Sequence, residues 1–374
     1  MPQKANKGEW SEPYVVTRVL GEGKLYLADE NGNRNIQEWM DVLELIRHET
    51  ADRLVEYKCP ADATMVDIYV NGECCASVLA ADFLRIADDL AGEIVNGSGS
   101  SFNVSEDITN FFNRVQIMHI KAKSIDKSDL FLTVKDPRAS IVRSHIGFSI
   151  KSEFGKDPTL FNTAKASAAV YKVTGMTDDL MNRINGLLDE KGHASVSGRC
   201  DEMIRQNCRL EFVGFPVAAR AGEKAFGENL DTINERLPAV IDFMLRNYFV
   251  NHDRATDLCD VLQRVIRENP CRITRPEVKY PYMIKAFLYA AYCGMTASTL
   301  WDGKSRVNGG FIKVSRVGDV VAYYALESDT FKTYLLNNCY LEFPSTDEKH
   351  GNYGKVYKEN GEYYFNLNFQ IRYR

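Results

Sequence analysis

The segment that most restricts the fold is a pair of apolar runs, DLFLTVKD at 129–136 and GFSIKS at 147–152, separated by PRASIVRSHI. Two such runs joined by a loop of moderate length read as an antiparallel hairpin, so the chain must contain a sheet. The second strand carries one lysine among apolar residues. Side chains alternate faces with period two, which places Ser149, Lys151 and Glu153 on one face and Phe148, Ile150 and Ser152 on the other. The polar set is either an exposed edge or a site. If the hairpin pairs symmetrically about Ser140, Asp129 faces Lys151.

Periodicity elsewhere sets the organisation. Residues 9–20 read as a short helix, followed by strands at KLYLAD, VLELI, RLVEY and VDIYV and by the helices AADFLRIADDLAGEIV and DITNFFNRV. From Thr177 to about Ser298 the apolar spacing is mostly helical. After WDGKSRVNGG, alternation returns in FIKVSR and VVAYYAL, with one helix at DTFKTYLLNN before the closing strands. The expectation is an α/β protein with a mixed-sheet core over 1–175, a helical lobe over 176–298 and a β-rich C-terminal segment over 299–374. At 374 residues and 45% hydrophobic content the chain is large enough for a sizeable core.

The totals exclude several classes. Nine cysteines with no CxxC pair suggest neither a zinc ribbon nor a disulfide framework, which favours a reducing cytoplasm. The N-terminus lacks the apolar region of a signal peptide, and the stretch AFLYAAYCGM is too short to cross a bilayer, so a soluble protein without membrane contact is expected. A net charge of -5 argues against indiscriminate coating of nucleic acid but leaves room for a local basic cleft. The six histidines show no metal-ligand spacing, and His145 reads as structural.

A carboxylate beside a lysine on neighbouring strands suits metal-dependent phosphodiester hydrolysis. The carboxylate holds Mg²⁺, and the lysine orients the attacking water and lowers its pKa. Asp129 is also open to two ordinary readings, a turn residue or half of a surface ion pair. Asp136, before a proline, reads as a turn residue. In NKGEWSEPY, Glu9 and Glu12 share a face of the first helical turn, where negative charge is favourable in any case. CRITRPEVKYPYMIK offers Arg272 and Arg275 as phosphate contacts or as a solvated basic loop. GKSRVNGG offers Lys304, Arg306 and Asn308 as base readers on a glycine-flanked loop. Asn162, in PTLFNTAKAS, lies next to residues suited to phosphate contact or to helix capping.

Lys7, Gly8 and Glu12, followed far downstream by Asp129 and Lys151, resemble the pattern of the PD-(D/E)XK nuclease superfamily. A longer ordered set, NKGEWSE, LGEGKLYLADE, GFSIKSEFG with PTLFNTAKAS, WDG with NGG, YLLNN and NLNFQIRYR, resembles the HpaII family of type II restriction endonucleases from Lys7 to Arg372. The resemblance implies a PD-(D/E)XK-like core and Mg²⁺-dependent double-strand cleavage of DNA at a short specific sequence. It also implies a cognate DNA methyltransferase that protects the host. Two cuts on a twofold-related site favour a homodimer. Catalysis would rest on Asp129, Lys151, Ser149 and Glu12, and metal binding on Asp129 with Glu12 or Glu153. Ser149 stands where the superfamily usually has Asp or Glu, so the second acidic ligand and the number of metals are open. Another nuclease of the superfamily, modification-dependent or junction-resolving, and an inactive DNA-binding protein are the alternatives.

Overall fold

The computed structural model describes residues 4–59, 64–122, 128–155, 157, 159–190, 192–215, 225–304, 309–324, 328–344 and 350–374. Arg306 and Asn308 lie outside the described residues. The chain opens with α1 (Lys7–Glu22), β1 (Lys24–Ala28), β2 (Arg34–Thr50), β3 (Arg53–Lys58), β4 (Met65–Val70), β5 (Glu73–Leu79), α2 (Ala80–Asn96) and α3 (Glu106–Arg114). The hairpin β6 (Leu130–Asp136) and β7 (Ile141–Ser152) follows. The middle holds β8 (Thr159–Phe161), β9 (Ala169–Thr174), α4 (Asp178–Asn185), α5 (Val196–Arg205), β10 (Arg209–Gly214), α6 (Ala225–Ile233), α7 (Leu237–Phe249), α8 (Leu258–Glu268) and α9 (Pro276–Tyr292). Last come β11 (Gly310–Val314), β12 (Val320–Tyr324), α10 (Ser328–Asn338), β13 (Cys339–Glu342), β14 (Val356–Glu359), β15 (Glu362–Leu367) and β16 (Gln370–Tyr373). The periodicity from Thr177 to Ser298 suggested no strand, whereas β10 lies inside that stretch and pairs with β9, just before it.

Two compact units result, Met1–Pro158 with Arg306–Tyr334, and Thr159–Ser305 with Leu335–Arg374. In the first, a nine-stranded mixed sheet runs β1-β12-β11-β7-β6-β2-β3-β4-β5, and β1 also pairs with β2. Six strands therefore close on themselves as a barrel, a closure that the expectation of a mixed sheet did not include. β2 permits this because it is long. Residues 34–41 pair with β1 and 44–50 with β3 along one edge, while 41–46 pair with β6 along the other. Leu45, Leu130, Leu132, Val134, Phe148, Ile312 and Val314 share a buried core with Trp10, Val15 and Val19 of α1 and Phe83, Ile86 and Leu90 of α2. The alternation of β6 and β7 thus buries one face and leaves the Phe131, Ser149 and Lys151 face on the other side.

Helix α1 starts at a capping box. Asn6 Oδ1 accepts from the Glu9 amide at 2.9 Å, and Glu9 Oε2 accepts from the Asn6 amide at 3.0 Å, so Glu9 is taken up by the helix end. Gly23, at φ 62°, closes the other end.

The loop of the β6–β7 hairpin is shorter than PRASIVRSHI suggested. The turn spans residues 137–140 and β7 already begins at Ile141. Asp136 accepts from the Arg138 amide at 3.0 Å and pairs with its guanidinium, which holds the Asp136 carboxyl below its usual range. Leu130 stands opposite Phe148, and the register slips between Leu132 and Val134, where His145 takes φ 56°. Asp129 therefore lines up with Ser149, two residues short of the expected Lys151.

Gly310 shows how tightly β11 and β12 approach. It adopts φ 140°, and a Cβ there would sit 2.0 Å from the Tyr323 carbonyl oxygen. Gly310→Ala is expected to lower stability by about 2 kcal/mol in urea unfolding. An unchanged midpoint would mean that the pairing relaxes at no cost.

In the second unit, β10-β9-β15-β14 and β13-β16-β8 form two small sheets. The closing NLNF motif is structural. Asn368, fully buried, accepts from the Ser167 hydroxyl at 2.9 Å and donates to the carbonyls of Ala164 and His350. Asn366 donates to the Gly351 carbonyl. Phe161, Phe226 and Phe369 stack beside them.

Candidate active site

The start of β6 is pinned to β7. The Asp129 amide donates to the Phe148 carbonyl at 2.8 Å. Its carboxylate Oδ2 accepts from the Ile150 amide at 2.7 Å and from the Ser149 hydroxyl at 3.3 Å. The carboxylate thus sits on the backbone between Ser149 and Lys151. Gly147 is needed nearby, because a Cβ there would lie 2.1 Å from Ser128 Oγ. Phe131 stands opposite Gly147 and stacks on His145 with centroids 4.7 Å apart. The bulge turns His145 onto that ring, so His145 belongs to the hairpin's packing.

Glu12 reaches this end of the sheet from α1. Its Oε1 accepts from Arg47 Nη2 at 2.9 Å, from Arg47 Nε at 3.3 Å and from the Ala122 amide at 2.7 Å. Burial pushes the Glu12 carboxyl above its ordinary value, Arg47 and the Ala122 amide pull it down, and the Asp129 charge pushes it up again. The two carboxylates are therefore within electrostatic reach of each other. Ser11 adds a direct tie between α1 and β7, 2.6 Å from Ser152 Oγ.

Arg47 is the hub that sequence reading missed. It is fully buried, pairs with both Glu12 and Glu49, and donates to the carbonyls of His119 and Ile120. Glu49 in turn accepts from the Met118 and His119 amides and contacts His119 Nδ1 at 3.0 Å. The available signal was the alternation Leu45, Arg47, Glu49, which carries two charges onto the core face of β2.

Glu153 lies just past the end of β7, two residues after Lys151, and its Oε1 meets Lys313 Nζ at 3.0 Å and the Tyr334 hydroxyl at 3.2 Å. Lys304, Arg272, Arg275 and Asn162 all belong to the second unit and are exposed. Lys304 closes a turn in which Asp302 accepts from its amide and Trp301 donates to its carbonyl. Arg272 and Arg275 hold φ 47° and 58°, on a loop fixed by two-way bonds between Asn269 and Ile273.

Among the described residues no three His, Cys, Asp or Glu side chains converge as a ready metal cage. Asp129 and Glu12 nevertheless fit a hard cation chemically, since both offer carboxylate oxygens and their mutual repulsion would be relieved by it. Among the described residues the hydrogen bonds to Glu12 fall on Oε1, so Oε2 would be the oxygen offered to such an ion. No helix of the described residues is long and apolar enough to cross a membrane.

Residues 6–373 match the sequence profile of the HpaII restriction endonuclease family. The chain is also 30% identical, over 370 residues, to the type II restriction enzyme HpaII of Haemophilus parainfluenzae, covering 98% of each chain. No solved structure matches.

Proposed function

The chain belongs to the HpaII restriction endonuclease family and is a type II site-specific deoxyribonuclease, and on that premise we propose that it cuts both DNA strands at a short sequence, with Mg²⁺ held by Asp129 and Glu12 and with Lys151 at the reacting phosphate. The observation that carries this reading is the bond from the Ile150 amide to Asp129, which fixes a carboxylate on the strand one residue from Lys151. When bound there by Asp129 and Glu12, a divalent cation would supply Lewis acidity at the phosphate. Lys151 orients the attacking water and favours its deprotonated form. Ser149 takes the place of the missing acidic residue by donating its hydroxyl to Asp129, which holds that carboxylate in one orientation. A mixed sheet with β6 and β7 antiparallel, β7 and β11 parallel, and α1 delivering a glutamate supports a PD-(D/E)XK-like core within the closed sheet.

On this reading Arg272, Arg275 and Asn162 grip phosphates, while Lys304 with Arg306 and Asn308 reads base edges from the glycine-flanked loop. The first unit holds the nuclease core, and residues 299–374, which contribute to both units, carry recognition. The enzyme works as a homodimer on a twofold-related site, beside a methyltransferase that protects the same sequence.

Plasmid DNA incubated with and without Mg²⁺ tests the proposal: discrete fragments that need the metal are expected. A smear would mean a nuclease without sequence choice, and intact DNA would leave only a binder. Asp129→Asn and Glu12→Gln are each expected to slow cutting at least about a hundredfold, roughly 2.7 kcal/mol of transition-state stabilisation. Ser149→Asp is expected to restore part of the Glu12→Gln loss. Both single variants cutting normally would remove the metal site described here.

A further inference from the structure

We propose that Lys313, Glu153 and Tyr334 form a positioning unit that fixes the end of the strand carrying Lys151, with Glu153 as its anchor instead of a metal ligand; the inference rests on the role of Lys151 given above. Lys313 stands directly beside Lys151 in the parallel pairing of β7 and β11. Two ammonium groups on one face of adjacent strands repel unless one is neutralised and turned away. Glu153 does this, with Oε1 3.0 Å from Lys313 Nζ. The Tyr334 hydroxyl donates to the same oxygen at 3.2 Å, and Lys313 Nζ lies 4.7 Å from the centre of the Tyr334 ring.

The unit is packed under the β1–β2 turn and is shielded from solvent. Gly32, at φ 84°, brings the β1–β2 turn so near that a Cβ would sit 2.5 Å from Lys313 Nζ and 2.8 Å from Tyr334 Cε2. The Lys313 and Glu153 side chains are only 11% and 9% exposed, which keeps both from DNA. The Glu153 amide donates to the Val314 carbonyl at 2.9 Å, locking the same point of β7 through its backbone. A buried pair of this kind holds one geometry, because either partner alone would be an uncompensated charge. These residues therefore act through Lys151.

The test measures single-turnover cleavage in Mg²⁺ and DNA affinity in Ca²⁺ for the full-length protein, with thermal unfolding alongside. Lys313→Met and Glu153→Gln are each expected to slow cleavage about 10- to 100-fold with affinity within about twofold, since a small misplacement of a reacting group costs rate and not docking. The double variant is expected to be no slower than either single one. Lys313→Arg, which keeps the pair, is expected to recover to within about threefold. If Lys313→Met fails to fold, Tyr334→Phe carries the test, and reduced cleavage at normal affinity is the expected result. Wild-type cleavage by Tyr334→Phe and Glu153→Gln would overturn the proposal. So would a dead Glu153→Gln beside an active Lys313→Met, which would return Glu153 to the metal. A wild-type protein that cuts no DNA under any condition would overturn the nuclease reading as well.

Discussion

Lys151→Ala is expected to abolish cleavage, lowering the single-turnover rate by at least about a thousandfold, or roughly 4 kcal/mol, while DNA affinity measured in Ca²⁺ stays within about threefold. Lys151 shares a sheet face with Ser149, and Asp129 is bonded to the amide that separates the two. An ammonium in that position acts on the charge that develops during attack on phosphorus, so its loss falls on the chemical step. On the proposed reading docking rests on many phosphate contacts, of which Lys151 would make one. Ca²⁺ accepts looser coordination and longer bonds than Mg²⁺, which makes it suitable for reading binding without turnover. Near-normal cutting by the alanine variant would place the reacting phosphate elsewhere. A loss of affinity equal to the loss of rate would make Lys151 a docking residue.

Arg47→Met is expected to destabilise the protein by about 3–5 kcal/mol, the usual effect of removing one partner from a buried ionic cluster. Methionine roughly keeps the apolar stem but leaves Glu12 and Glu49 without the guanidinium they share. It also frees the carbonyls of His119 and Ile120, so, of the ties described above, the segment after α3 keeps only the Glu49 bonds to β2. The pH dependence follows from Glu12. Its carboxyl is already raised, with burial as the largest cause, and losing Arg47 moves it higher. An acid with a raised folded-state pKa contributes stability below its unfolded value and loses it as pH rises. The variant should therefore recover part of its stability as pH falls toward the ordinary glutamate value of 4.5. Urea unfolding at pH 5 and pH 8 measures both effects. A variant as stable as the wild type would mean that water or a rearranged loop replaces the guanidinium.

The candidate site was legible where it depended on local pattern. The lysine in GFSIKS, the acid that starts DLFLTVKD and the glutamate in the first helix were all visible as residue types at fixed spacings; in the structure Ser149 bonds to Asp129, and Glu12 lies within electrostatic reach of that carboxylate. The pairing of Asp129 with Lys151 was displaced by two residues. Alternation has period two, so a slip of two leaves every side chain on its own face and leaves no trace in the pattern. The turn at 137–140 and the bulge at His145 set the register instead.

By itself, then, the sequence determined the α/β class, the hairpin, the helix that carries Glu12, the face shared by Ser149 and Lys151, and, through its long ordered motifs, the family. Only the tertiary structure decided which charges meet. Glu153 found Lys313 and Tyr334, more than 150 residues away in the chain, and Arg47 joined Glu12 to Glu49 beneath α1. It also decided that six strands close on one another, because β2 is long enough to pair with β1 and β3 in succession along one edge. Helix and strand periods follow from backbone geometry within a few residues. The partner of a buried charge follows from which distant elements pack over it, since the cost of leaving it unpaired is met only after the core has assembled.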